Sequence, residues 1–130
     1  HVDTIGKVIW QTAIAPDGAL GDTRCFTRIE DGAGHPDGPV VDAEGCLWIG
    51  LFGGWGVRRY DPRGQLMQYV RLPTANVTKI AFGGDDLSVA YATTARKNLS
   101  EAELAQQPLA GDLFAFDPGV RGLQGHVATL

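Results

Sequence analysis

The chain has two cysteines and no excess of positive charge, and each shortage closes off a class of function. Cys25 and Cys46 allow at most one bridge, far below the density that staples small secreted folds, and they read as two free thiols buried against strands. There is no Cys-x-x-Cys pair, and His1, His35 and His126 stand far apart, so no zinc signature is present. Lys and Arg number 11 against 15 Asp and Glu, a formal charge of −4. The basic residues are scattered, not gathered into a stripe that would neutralise a phosphate backbone, which argues against nucleic acid as a partner. No apolar run approaches the roughly 18 residues of a membrane span, and no charged-then-apolar leader opens the sequence. A cytoplasmic protein is expected, with neither membrane nor nucleic-acid partners. Gly-x-Ser-x-Gly is missing. Gly53-Gly54-Trp55-Gly56 lacks the Lys-Ser/Thr and helix of a phosphate loop.

What is there is a globular composition, 44% hydrophobic and 20% charged over 130 residues, enough for one domain with its own core. Three segments align. Gly6–Gly18, Gly56–Gly64 and Gly111–Gly119 are each a Gly-led strand of β-branched and aromatic residues closing in a turn with Pro and Gly. Their prolines fall at 16, 62 and 118, spacings of 46 and 56 residues, near the 40 to 50 of propeller blades.

Asn98–Gln107 accounts for the longer interval as an insertion, and Ser100 with Glu103 gives it a capping box and hence a short helix. Strands at Val2–Thr4, Leu47–Gly50 and Val89–Thr93 precede the aligned segments. Val40–Asp42 and Thr78–Phe82 stand in the place of innermost strands, and the first unit has no counterpart. Trailing strands are expected at Arg24–Ile29, Leu66–Arg71 and His126–Leu130. The fold class is therefore all-β, one domain over 1–130 forming a partial β-propeller of about three four-stranded antiparallel blades, with units near 1–34, 35–74 and 75–130. That is half of a six-bladed ring, whose open flank would expose strand edges and apolar faces. The first residue is His1 and not Met, and the expectation is a fragment, completed by self-association or by a complementing half.

His35-Pro36-Asp37-Gly38-Pro39 carries the strongest candidate site. A carboxylate fixed at a strand end can ligate a hard cation or act as a general base; the alternative is a plain turn in which Asp37 bonds its own backbone. His35 adjoins this site. Asp3, Asp42, Asp61 and Asp117 also sit at strand ends, but three of them lie in recurring Asp-x-x-Gly or Asp-Pro contexts that read as turn punctuation. Asp85-Asp86 reads as a solvated hairpin loop. Thr93–Lys97 closes a strand and could bring Arg96 near a pocket, with a solvated rim position as the default.

In motif order the chain resembles the carboxy-terminal half of the regucalcin, gluconolactonase and senescence-marker-protein family. The likeness runs through Pro36-Asp37-Gly38, Asp42–Trp48, Val57–Pro62, Phe82-Gly83-Gly84, Tyr91–Arg96 and Gln107–Phe114. It implies a six-bladed propeller holding one divalent cation, Ca²⁺, Mg²⁺, Mn²⁺ or Zn²⁺, and hydrolysing sugar lactones or related esters. By the resemblance Asp37 is the metal ligand contributed by Pro-Asp-Gly and the catalytic base. The family's Glu and Asn-Gly ligands have no equivalent in this sequence. The expected function is a metal-dependent lactonase incomplete in this chain, and the alternative is a non-catalytic half-propeller that self-associates as a binding or structural module.

Overall fold

A computed structural model describes residues 1–125. The trailing strand expected at His126–Leu130 lies outside the described residues. Three antiparallel sheets follow one another along the chain. The first is β1 (Val2–Asp3), β2 (Val8–Ile14) and β3 (Leu20–Arg28); the second is β4 (His35–Val41), β5 (Leu47–Phe52), β6 (Gly56–Tyr60) and β7 (Leu66–Arg71); the third is β8 (Val77–Gly83), β9 (Val89–Thr94) and β10 (Leu113–Phe116). Within each sheet consecutive strands are neighbours, as hairpin connections require.

The middle sheet is the keystone because β5 buries both faces. Side chains alternate across a strand, so Trp48 faces the third sheet, joining Val57, Val77, Ile80, Ala90 and Ala92. Ile49 and Leu51 face the first, joining Ile9, Ile29 and Tyr60. That is why Leu47–Leu51 reads as an unbroken apolar run. The third sheet covers one face only: along β9, Ala90, Ala92 and Thr94 are buried while Tyr91 and Thr93 are exposed. The first sheet is barer, with Ile14 and Leu20 exposed and β3 open along most of its length.

That openness corrects the reading of Cys25. It lies on β3 and is exposed, and only Cys46 is buried. The two thiols are free.

Between β9 and β10 the expected insertion folds as α1 (Glu101–Gln106). Ser100 Oγ accepts from the Glu103 N–H, and the Glu103 carboxylate accepts from the Ser100 N–H. The insertion is tied to the sheets through Gln107, whose buried Oε1 accepts from the Ala75 N–H at 2.7 Å. No helix among the described residues is long and apolar enough to cross a membrane.

Candidate active site

The Pro-Asp-Gly segment is neither a strand end nor a plain turn; it lies within β4. Asp37 pairs with Gly50 and Val40 with Trp48, so β4 gains one residue on β5 between those pairs, which is a β-bulge. Two features allow it. β4 is the edge strand of its sheet, where a proline need not donate to a ladder, and Gly38 takes φ +51°, which favours glycine.

Glycine is required at 38 for a second reason. A Cβ there would stand 2.6 Å from Lys79 Cα and would clash with Thr78 O. Gly50, opposite Asp37, meets Val77 of the same strand in the same way, its Cβ position lying 3.1 Å from Val77 Cγ1. Bare backbone on β4 and β5 thus lets β8 close in. Lys79 Nζ then donates to Pro39 O at 2.9 Å.

The bulge sets Asp37 into a cleft of about 450 Å³ to which all three sheets contribute. Thr4 and Ile5 come from the first, His35, Asp37 and Phe52 from the second, and Thr78, Ala95, Lys97 and Asn98 from the third. His35 and Asp37, two apart on one strand, share a face. His35 Nδ1 lies 3.0 Å from Thr4 O. A carbonyl only accepts, so Nδ1 is the donor of this bond.

Hydrogen bonding separates Asp37 from the other strand-end aspartates. Asp3 Oδ1 accepts from the Gly6 N–H, Asp61 from Arg63 and Gln65, and Asp117 from Gly119, the Asx-turn pattern expected of turn punctuation. Asp42 is buried and accepts from the N–H groups of Glu44 and Cys46, from Trp48 Nε1 at 2.9 Å and from Arg59 Nε at 2.8 Å. Burial alone would raise its pKa, yet the bonds from Arg59, Trp48 and Cys46 hold it below the usual carboxylate value. Among the described residues no donor reaches the Asp37 carboxylate, so the self-bonded turn alternative does not apply to it. It is a half-buried carboxylate on a cleft wall with its acceptor capacity free.

Sequence reasoning placed Asp37 and His35 together but missed what the third sheet contributes to the cleft. Arg96 does not line the cleft; its stem lies against Gly111, and Lys97 and Asn98 take the position instead. Their turn is set by Asn98 at φ +62° and by buried Asn76, which donates to Lys97 O at 2.9 Å and accepts from the Gly53 N–H at 3.0 Å. A Lys-Asn pair just past a strand, where Asn tolerates the left-handed region, was the available signal. Asn76 gave none, since its partners lie 21 and 23 residues away.

The cleft residues do not by themselves make a cation cage. Asp37 is the one carboxylate in it, and no three His, Cys, Asp or Glu side chains converge among the described residues. Ca²⁺ takes six to eight oxygens and Mg²⁺ six.

Comparison with known proteins adds the lineage. The family profile described as SMP-30/Gluconolactonase/LRE-like region matches residues 1–96. The chain is 39% identical to a 6-deoxy-6-sulfogluconolactonase of Pseudomonas putida over 94% of its own length and 42% of that protein's. It is 40% identical to regucalcin of Danio rerio over 86% of its length and 39% of the other's. It thus spans about two fifths of the curated relatives it matches. Among solved structures, it superposes on a calcium-binding regucalcin of Agrobacterium tumefaciens with a TM-score of 0.84 at 29% identity, covering 93% of this chain and 41% of that one. A luciferin-regenerating enzyme gives 0.84 at 25% identity, covering 96% and 43%. The three sheets are blades of a partial β-propeller.

Proposed function

Because the chain belongs to the SMP-30/gluconolactonase/LRE-like family, we propose that it serves the hydrolysis of a sugar lactone or related ester, with Asp37 as general base. The observation that carries the reading is the free acceptor capacity of the Asp37 carboxylate on the wall of a cleft built by all three blades. In this reaction Asp37 takes a proton from water as the water oxygen bonds to the lactone carbonyl carbon. The tetrahedral oxyanion then collapses, the ring C–O bond breaks, and the proton passes to the departing ring oxygen. The product is the open hydroxy acid.

A divalent cation is implied for the family by its calcium-binding members, and Asp37 is the residue here suited to ligate one. One carboxylate does not suffice for it, so a metal-dependent reaction needs donors beyond this cleft set. The free thiols fit a reducing compartment such as the cytoplasm.

The test is hydrolysis of δ-gluconolactone followed by pH-stat, with Ca²⁺, Mg²⁺, Mn²⁺ or Zn²⁺ added in turn. The expected result is turnover that Asp37→Asn lowers at least a hundredfold, as loss of a general base does. Turnover that survives the substitution would remove Asp37 from the reaction.

A second reading draws on the uncovered faces. Ile14 and Leu20 on the first sheet and Leu113 on the third are exposed, and proteins cover such surface. In this reading two copies associate through the open flanks as a binding or structural module. Native mass spectrometry distinguishes a dimer from a monomer, and a monomer at micromolar concentration would dismiss it.

A further inference from the structure

We propose that Lys97 makes the cleft selective for a sugar lactone that carries an anionic group besides its carbonyl. The inference rests on the lactonase reading above, and it adds the substrate class.

The cleft has a single ammonium among its lining residues, Lys97, and a single carboxylate, Asp37. They stand on different blades, Asp37 on the second and Lys97 just past β9 of the third. The nearby Lys79 is already engaged, donating to Pro39 O. Arg59, Arg58 and Lys7 are committed to Asp42 and Glu44, Glu30 and Asp31 respectively. Lys97 takes part in no ion pair among the described residues.

Its backbone is not loose. Asn76 Nδ2 holds the Lys97 carbonyl, the Ala95 N–H bonds Asn76 O at 2.9 Å, and the Leu99 N–H bonds Arg96 O. The turn that carries the ammonium is therefore fixed from the buried side while the side chain stays exposed. A net charge of −4 on the chain repels anions, so an unpaired cation on the cleft rim is a local reversal of sign.

A neutral lactone uses Asp37 and the polar groups His35, Thr4, Thr78 and Asn98 but leaves Lys97 idle. A lactone that also carries a sulfonate, phosphate or carboxylate engages both charged groups of the cleft, its carbonyl at Asp37 and its anion at Lys97. Charge-assisted hydrogen bonds of this kind change affinity by roughly ten- to a hundredfold.

Two measurements test it. In the first, kcat/KM is compared for δ-gluconolactone and its 6-phosphate, 6-sulfonate and 6-carboxylate counterparts, for the native chain, Lys97→Met and Lys97→Arg. The expected result is at least a tenfold preference for an anionic substrate, carried by KM, lost in Lys97→Met and largely kept in Lys97→Arg. The three anions separate a tetrahedral from a planar recognition site.

In the second, binding of glucose 6-phosphate and glucose is followed by NMR titration, which needs no turnover. If the native chain hydrolyses neutral and anionic lactones alike and Lys97→Met changes neither, the selectivity is overturned while the lactonase reading stands. If no lactone is hydrolysed but glucose 6-phosphate binds in a Lys97-dependent way, the anion site stands and the lactonase reading fails.

Discussion

The Cβ position of Gly38 is taken by Lys79, since a methyl on residue 38 would lie 2.6 Å from the Lys79 Cα. The two strands that meet there, β4 and β8, are edge strands of adjacent sheets, and Gly38 at the β4 bulge is where they touch. Gly38→Ala combines a backbone angle of +51° that alanine resists with a clash against backbone that has no flexible end to move. The expected loss is about 2–4 kcal/mol of stability, read from the urea midpoint. Val77, Lys79 and Asp37 amide shifts should move in the folded remainder.

Asp42 and Asp37 give opposite expectations for the same conservative change. Asp42 sits at no exposed surface and holds four donors from Glu44, Cys46, Trp48 and Arg59. Asp42→Asn leaves the Arg59 charge under-compensated and turns an acceptor into a donor facing a donor. A loss of about 3–5 kcal/mol is expected. Asp37→Asn breaks no bond within the described residues and should shift the midpoint by less than about 0.5 kcal/mol.

Part of the pH dependence of stability follows from the lowered pKa of Asp42, beside that of Glu30, which the Arg58 guanidinium pulls down to about 2. A carboxyl whose folded pKa is depressed stabilises fully above its unfolded value, 3.8 here, and loses that contribution as pH falls through the folded value. Urea midpoints of the native chain should therefore decline from about pH 4 downward. The decline should be shallower in Asp42→Asn, and an unchanged slope would assign the acid sensitivity to other groups.

Much of this was legible in the chain. The aligned Gly-led strands, the strand at Leu47–Gly50 and the Ser100–Glu103 box are local patterns with local causes, and they appear where the spacing puts them. What escaped was set by approach between blades. Nothing local in His35–Pro39 says that β8 will pass over Gly38, so the segment reads as a turn and folds as a bulged strand. Cys25 has the context of a buried residue, but the face of β3 that carries it meets no neighbour. Arg96 and Lys97 are equally basic and adjacent, and the turn fixed by Asn98 and Asn76 decides which of them lines the cleft.

The capping box offers a local test. α1 has no buried residue, so its stability depends on its caps and on the Gln107 anchor. Ser100→Ala removes the acceptor for the Glu103 N–H and should weaken the helix by about 1 kcal/mol. Amide exchange in 101–106 should quicken about fivefold while the global urea midpoint stays fixed. A matching fall in the midpoint would mean that the insertion unfolds only with the blades.

Asn76 joins the β5–β6 turn to the Lys97 turn by using both ends of its amide, accepting from the Gly53 N–H and donating to Lys97 O. Asn76→Asp keeps the shape and the acceptor but aims a carboxylate oxygen at a carbonyl, two acceptors face to face in a buried site. The introduced carboxyl is therefore held above its ordinary pKa in the folded chain, by burial and by that carbonyl. The sign is opposite to that at Asp42: a raised folded pKa gives stability that is present below the unfolded value and lost as pH rises through the folded one. Protonated, the group donates to Lys97 O and restores the pair of bonds; ionised, it does not. The urea midpoint of Asn76→Asp, taken relative to that of the native chain at each pH, should thus rise on acidification from pH 7 to pH 5. A relative midpoint that stays flat over that range would show that the amide's donor end contributes nothing to holding the Lys97 turn.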